Sequence, residues 1–380
     1  MGIRRIASSV AQRQIKYVTP VPVNAARGVL AEVYDQVLDE MGLVVPPVQL
    51  HSPVPDLAAA YWTLLREPLL PTANVNRTVK EAVATAVSVA NVCPYCVDMH
   101  SVGMYDLASE SAAEALIADR PSDIGDPELA AVATWARHAA FPAASSERVA
   151  SERVALEGVA SERLVSRPLL SEPFAEAERA ELVGVVVALH YLTRMVNVFL
   201  SSFLLPPGLG PASRRRFKHG VARILRPTLR DPRTPGRALP LLPEAALPAD
   251  AAWAQGNPSI AAAIGRAYAA FEAAGARSVP VGVRELLASR LHSWQGEDTG
   301  LSRAWCERLV ARLPEAQQPM ARLVLLTAIA SYQVDDEVIG AFQAVHPDDR
   351  TLVDAASWAS YQAARKIGSR HLPVAAVAAR

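Results

Sequence analysis

The stretch that decides the fold is EAVATAVSVANVCPYCVDMH, Glu81 to His100. Just before and within it, apolar residues fall at Val79, Ala82, Val83, Ala86, Val87 and Ala90. That is the spacing of one buried face of an α-helix. Glu81, Thr85 and Ser88 form a polar stripe beside it. Asn91 suits a helix end, and Pro94 suits the first position of a new helix, where its missing N–H is no loss. The pattern predicts a helix, a break over residues 91–93, and a second helix from about Pro94. On that second helix Cys96 and His100 stand four apart and share a face, with Cys93 at its N-terminal edge.

This placement has chemical consequences. Free backbone N–H groups and the helix dipole stabilise negative charge at a helix start, which lowers a thiol pKa. An imidazole one turn away can take the thiol proton or pair with the thiolate. A thiolate that attacks a peroxide O–O bond becomes a sulfenic acid, and a second thiol nearby condenses with it to a disulfide. Glu81 can orient His100, or carry the proton onward through water, if the first helix packs on the second. Other uses of these residues are open at this level. A C-x-x-C pair is also half of a zinc site, although Cys93, Cys96 and His100 supply only three local ligands and no second cysteine pair exists. The same CPYC tetrapeptide occurs in glutaredoxins after a β-strand; here it follows an amphipathic helix, which argues against that fold. Glu81 by itself reads as a surface residue paired with Arg77, four positions earlier.

Taken together, Glu81, Cys93-Pro-Tyr-Cys96 and His100 reproduce E-x11-C-x-x-C-x-x-x-H. In this the chain resembles the alkylhydroperoxidase D branch of the carboxymuconolactone decarboxylase-like family, since the decarboxylase branch lacks the cysteine pair. The resemblance implies an all-α helical bundle and a thiol-dependent peroxidase or disulfide reductase. It makes Cys96 the peroxidatic thiol, Cys93 the more exposed resolving thiol, and Glu81 with His100 the proton relay. Some members carry a histidine just before the second cysteine, where this chain has Tyr95.

The 380 residues allow one large or two ordinary domains, and at 51% apolar and 20% charged they can bury a sizeable core. A formal net charge of zero offers no global attraction to nucleic acid or an anionic membrane. Three cysteines make no disulfide framework and suit a reducing compartment. Met1 to Gln14 has arginines but no apolar core of a secretory signal. Leu182 to Leu205 is the most apolar run, yet His190, Arg194 and Asn197 within it favour a core helix over a membrane span. A cytoplasmic protein is expected.

Along the chain, helices are expected at about 24–41, 56–69 and 126–140, with a long buried one from Phe174; no stretch alternates well enough for a strand. His190 on the long helix is a further candidate for the thiol pocket, with Arg194 one turn on, although a core histidine is the commoner explanation. Residues 146–163 repeat Ser-Glu-Arg-Val-Ala and read as a solvated helix or insertion. Residues 207–257 read as a Pro- and Arg-rich linker, whose Arg214, Arg215, Arg216, Lys218, Arg223 and Arg226 would face solvent or an acidic partner.

Residues 258–380 read as a second, degenerate copy of 1–206. Residues 258–275 match the helix from Pro55, 283–300 match 79–96, and 346–369 match 174–199 with Tyr361 on Tyr191. Glu285 then falls on Glu81, while Glu297, Gly300 and Ala304 replace Cys93, Cys96 and His100. Cys306 reads as a small apolar filler. Such a copy is expected to pack on the first as a pseudo-subunit and wall its site, within a homo-oligomer. The function expected is reduction of a hydroperoxide or disulfide by Cys93 and Cys96, with Tyr95 and His190 near the substrate. An external lipoyl or thioredoxin-like dithiol would recharge the pair, without bound cofactor. The other class considered is a non-enzymatic metal-binding or redox-sensing helical protein.

Overall fold

Residues 14–141, 172–201 and 210–373 are described by a computed structural model; the repeat at 146–163 lies outside them. The first half contains α1 (Val29–Met41), α2 (Pro46–Gln49), α3 (Pro55–Leu69), α4 (Arg77–Ala90), α5 (Pro94–Leu107), α6 (Glu110–Ile117), α7 (Pro127–His138) and α8 (Arg179–Phe199). A basic helix follows, α9 (Pro211–Arg230). The second half contains α10 (Pro258–Ser278), α11 (Val281–Ser293), α12 (Ala304–Val310), α13 (Gln318–Ala330), α14 (Asp336–Gln343) and α15 (Asp349–Gly368). The protein is all-α. Among the described residues, β pairing is limited to one bridge, Ile15 to Leu200.

The expected boundaries follow their caps. The Asn76 side chain accepts from the Val79 amide to open α4, and Pro94 opens α5. The Asp126 side chain does the same for α7. The first helix begins at Val29 rather than 24, because Gly28, at φ 56°, turns the chain just ahead of it. The long helix begins at Arg179, after a 3-10 turn at Glu176–Glu178. It is the one described helix long and apolar enough to cross a membrane, and its apolar span is almost wholly buried inside the fold.

The duplication organises the core. Helix α3 packs on α10, its counterpart, and α8 packs on α15, while α3–α8 within the first copy is repeated as α10–α15 within the second. Like meets like, as in two subunits related by a two-fold axis. Aromatic rings run through the junction: Tyr191 lies 4.7 Å from Phe271, Phe271 lies 5.3 Å from Tyr361, and Tyr361 lies 4.8 Å from Tyr268. Beneath them His51 donates from Nδ1 to the Pro47 carbonyl and accepts at Nε2 from the Tyr191 hydroxyl, both at 2.7 Å. The copies diverge where the thiols should be. Residues 294–303 of the second copy run as coil with Glu297 and Gly300 in it, so no helix starts at the place of Pro94. Cys306 is fully buried, and burial foremost pushes its thiol up to about 12.

The expectation of a solvated linker at 207–257 is overturned at Lys218 and at the residues that follow α9. Lys218 is buried in α9 and pairs with Asp98 of α5 at 2.8 Å, also donating to the Ser101 hydroxyl. Arg226 and Arg230 both reach Asp106, and His219 reaches Glu110. Residues after α9 are stitched to α3: the Glu67 carboxylate accepts from the Gly236 and Ala238 amides, and Arg66 donates to the Thr234 carbonyl. Arg66 itself is fully buried between Glu40 and Glu67, at 2.7 and 2.6 Å. Of the charges read as a solvated face, Lys218 and Arg226 bind acids of the first copy, Arg214 and Arg215 approach them at 4.0 and 3.6 Å, and Arg216 and Arg223 stay exposed.

Candidate active site

The end of α4 and the start of α5 build the site. The Cys93 amide closes the turn onto the Ser88 carbonyl at 3.0 Å, and the Cys93 carbonyl accepts the Val97 amide at 3.0 Å. Cys93 is therefore the N-cap of α5, and Cys96 lies in its first turn, where backbone N–H groups precede the helical ladder. The two cysteines are joined as a disulfide, with their Cα atoms 5.4 Å apart. Cys93 was expected to be the more exposed thiol; instead both are buried, at 1% and 2% exposure. The neighbouring Val92 is the exposed residue of the turn and sits in the left-handed region at φ 51°.

Helix α4 packs along α5 and brings Glu81 to His100. His100 Nδ1 donates to Glu81 Oε2 at 2.8 Å, and Arg77 donates from Nη2 to Glu81 Oε1 at 2.6 Å. The two readings of Glu81, surface partner of Arg77 and orienter of His100, thus hold together in one buried carboxylate. Burial alone would raise its pKa; Arg77 and then His100 outweigh this and hold it at about 2. With Nδ1 tied to a carboxylate, Nε2 is the nitrogen of His100 left to exchange a proton.

Gly103 makes this approach possible and was not singled out from the sequence. A Cβ at this position would stand 3.2 Å from Glu81 Cγ. A glycine inside a helical run is the available signal for such close approach. Sequence reasoning also missed Asn91. Its side chain donates to His190 Nδ1 at 2.9 Å, and its carbonyl accepts from Asn197 Nδ2 at 3.1 Å. These bonds from α8 pin the turn two residues before Cys93.

A cavity of about 410 Å3 adjoins the relay. Arg77, Glu81, His100 and Tyr95 stand on its wall, and the rest is mostly apolar, including Leu65, Leu69 and Leu192. Phe217 and Val221 of α9 cover it. Every lining residue precedes 230, so the expectation that the second copy walls this side is not met. The second copy instead closes the opposite side of the disulfide turn. There Val92, Pro94 and Tyr95 share a groove with Lys16, Tyr332 and Asp335. Tyr95 borders both spaces; burial pushes its phenol well above the usual range, and its hydroxyl has no partner among the described residues. His190 is not brought to the relay cavity: it is buried and lines a third space, between the copies. Among the described residues no cluster of three His, Cys, Asp or Glu side chains has the geometry to hold a metal ion, and the disulfide takes up both thiols a zinc site would need.

Two comparisons with known proteins bear on this geometry. The sequence pattern of the carboxymuconolactone decarboxylase family matches residues 55–138, which takes in α3 through α7 and both halves of the site. The chain is also 32% identical, over 355 residues, to an alkyl hydroperoxide reductase of Mycobacterium tuberculosis. That alignment covers 93% of this chain and 94% of the relative, so the similarity runs on through the second copy.

Proposed function

The chain belongs to the carboxymuconolactone decarboxylase family, in its alkylhydroperoxidase D branch, and from that premise we propose that it reduces hydroperoxides through a Cys93–Cys96 dithiol cycle. The observation that carries this reading is the His100–Glu81 contact one turn beyond a pair of sulfurs close enough to bond. In the reduced protein, His100 takes the Cys96 proton. The Cys96 thiolate attacks the outer peroxide oxygen, the O–O bond breaks, and the leaving alkoxide takes the proton back from His100 as an alcohol. The Cys93 thiol then attacks the Cys96 sulfenic acid, forming the disulfide and releasing water. An external dithiol, lipoyl or thioredoxin-like, restores both thiols by exchange and becomes a disulfide itself.

The adjoining cavity supports a substrate with an apolar tail, because its walls are mostly apolar and the relay residues stand among them. Turnover with cumene hydroperoxide and with hydrogen peroxide tests the reading, using wild type, Cys96→Ser and Cys93→Ser. Wild type is expected to favour the bulky peroxide, and each variant to lose turnover by about 100-fold or more. Wild-type turnover in both variants overturns the proposal.

A further inference from the structure

At the junction of the two copies, on the far side of Asn91 from the relay, lies a space of about 320 Å3. His190 and Arg194 of α8 form one wall, Trp294 and Glu297 of the second copy another. The hydrogen bonds fix the histidine's tautomer. Its Nδ1 lies 2.9 Å from Asn91 Nδ2 and 3.2 Å from Arg194 Nη1, and both are donors, so Nδ1 is the accepting nitrogen. The hydrogen of the neutral ring is then on Nε2, which is buried and has no partner among the described residues.

The charge around it is one-sided. Arg194 is 4% exposed and donates only to carbonyls, the Asn91 amide oxygen and His190, with no carboxylate in ion-pair range among the described residues. Arg370 lies over the Trp294 ring at 5.4 Å, and Arg194 approaches the same ring at 6.0 Å. Arg370 Nη1 is also buried without a partner, and no described carboxylate pairs with it. The nearby acids have other partners. Glu297 accepts from Arg290 at 2.8 Å and from the Gln295 amide, and Asp298 accepts from the Tyr332 hydroxyl and the Gly300 amide. Arg194 and His190 thus border a hollow on whose wall the carboxylates of Glu297 and Asp298 are engaged by other donors, and Arg194 itself has no counter-ion among the described residues. A buried cation without one is costly, and an oxyanion supplies both the missing charge and the missing acceptor.

We propose that this space is a binding site for a small oxyanion, a carboxylate or phosphate, held by Arg194, the Nε2–H of His190 and the field of Arg370. The site is separate from the relay cavity and does not depend on the peroxidase reading. It shares Asn91 and Val92 with the turn that carries the thiols.

The test is calorimetric titration of the full-length protein with succinate and with inorganic phosphate, against sodium chloride at matched ionic strength. Saturable binding of one or both oxyanions is expected, accompanied by a rise in Tm. The preferred anion identifies carboxylate or phosphate as the ligand class. Affinity should fall on the order of tenfold or more in Arg194→Gln. Because Arg194 also braces α8, Arg370→Gln, at a less buried position, serves as the second variant and should weaken binding likewise. No saturable binding of either oxyanion above chloride, or unchanged affinity in Arg370→Gln, overturns the proposal.

Discussion

At the scale of single residues, the site rests on one carboxylate held by two cationic partners. Glu81 is nearly inaccessible, and its carboxyl is held at about 2 against a penalty from burial. The unfolded chain titrates near 4.3, so this shift corresponds to ~3 kcal/mol of stability. The folded value lies below the unfolded one. The contribution is therefore complete above about pH 4.3 and is lost as pH falls toward 2. In urea unfolding, the stability gap between wild type and Glu81→Gln should narrow over that window; a constant gap would show that Glu81 is not held this way. Gly103→Ala separates position from stability. Alanine favours a helix over glycine by ~1 kcal/mol, but its methyl meets a Glu81 that Arg77 and His100 keep from moving. Peroxide turnover should fall about tenfold while Tm stays level or rises; unchanged turnover would remove Glu81's position from the account. Spacing told that Cys96 and His100 share a helical face, whereas Glu81 was singled out only by the resemblance of the whole E-x11-C-x-x-C-x-x-x-H pattern to the family. The sequence did not tell the roles of Gly103 or Asn91, because both act through contacts between helices that spacing does not encode.

Among the secondary elements, the two motif helices and the break between them were legible because periodicity agrees with Asn91 and Pro94 at the break, while the Asn76 cap emerged only in the structure. Helix α9 was not. Its arginines read as a solvated face, and the acids that receive them, Asp98, Asp106 and Glu110, lie more than a hundred residues earlier. Only the fold reveals that this basic helix roofs the relay cavity. The Lys218–Asp98 pair is the most buried of its ties. Asp98→Asn leaves Lys218 buried without its carboxylate, a loss of ~3 kcal/mol when a buried pair is broken. The expected result is faster limited proteolysis within 211–230 with helix content by circular dichroism unchanged. A cleavage rate equal to wild type would show that α9 is held by other means.

For the molecule as a whole, duplication explains why a half without the cysteine pair accompanies the half that carries it. Helices α3 and α8 bury a face against α10 and α15, as one subunit does against its twin. The repeat was legible in the match of 258–275 to the helix from Pro55 and of Tyr361 to Tyr191. Which side of the site the second copy would close was not, since that depends on how the pair is oriented. Removing 245–380 should uncover the faces of α3 and α8, and the fragment should sediment as aggregate. A monodisperse, helical fragment with full turnover would contradict the pseudo-subunit arrangement.

The central claim, that Cys96 takes the peroxide oxygen and Cys93 removes it, is tested most directly by mass spectrometry. Reduced Cys93→Ser is treated with one equivalent of alkyl hydroperoxide, then mapped by peptide. The account predicts a single added oxygen on Cys96, trapped because its partner thiol is missing, where wild type gives the intramolecular disulfide instead. Oxygen on no cysteine, or only on Cys306, would contradict it.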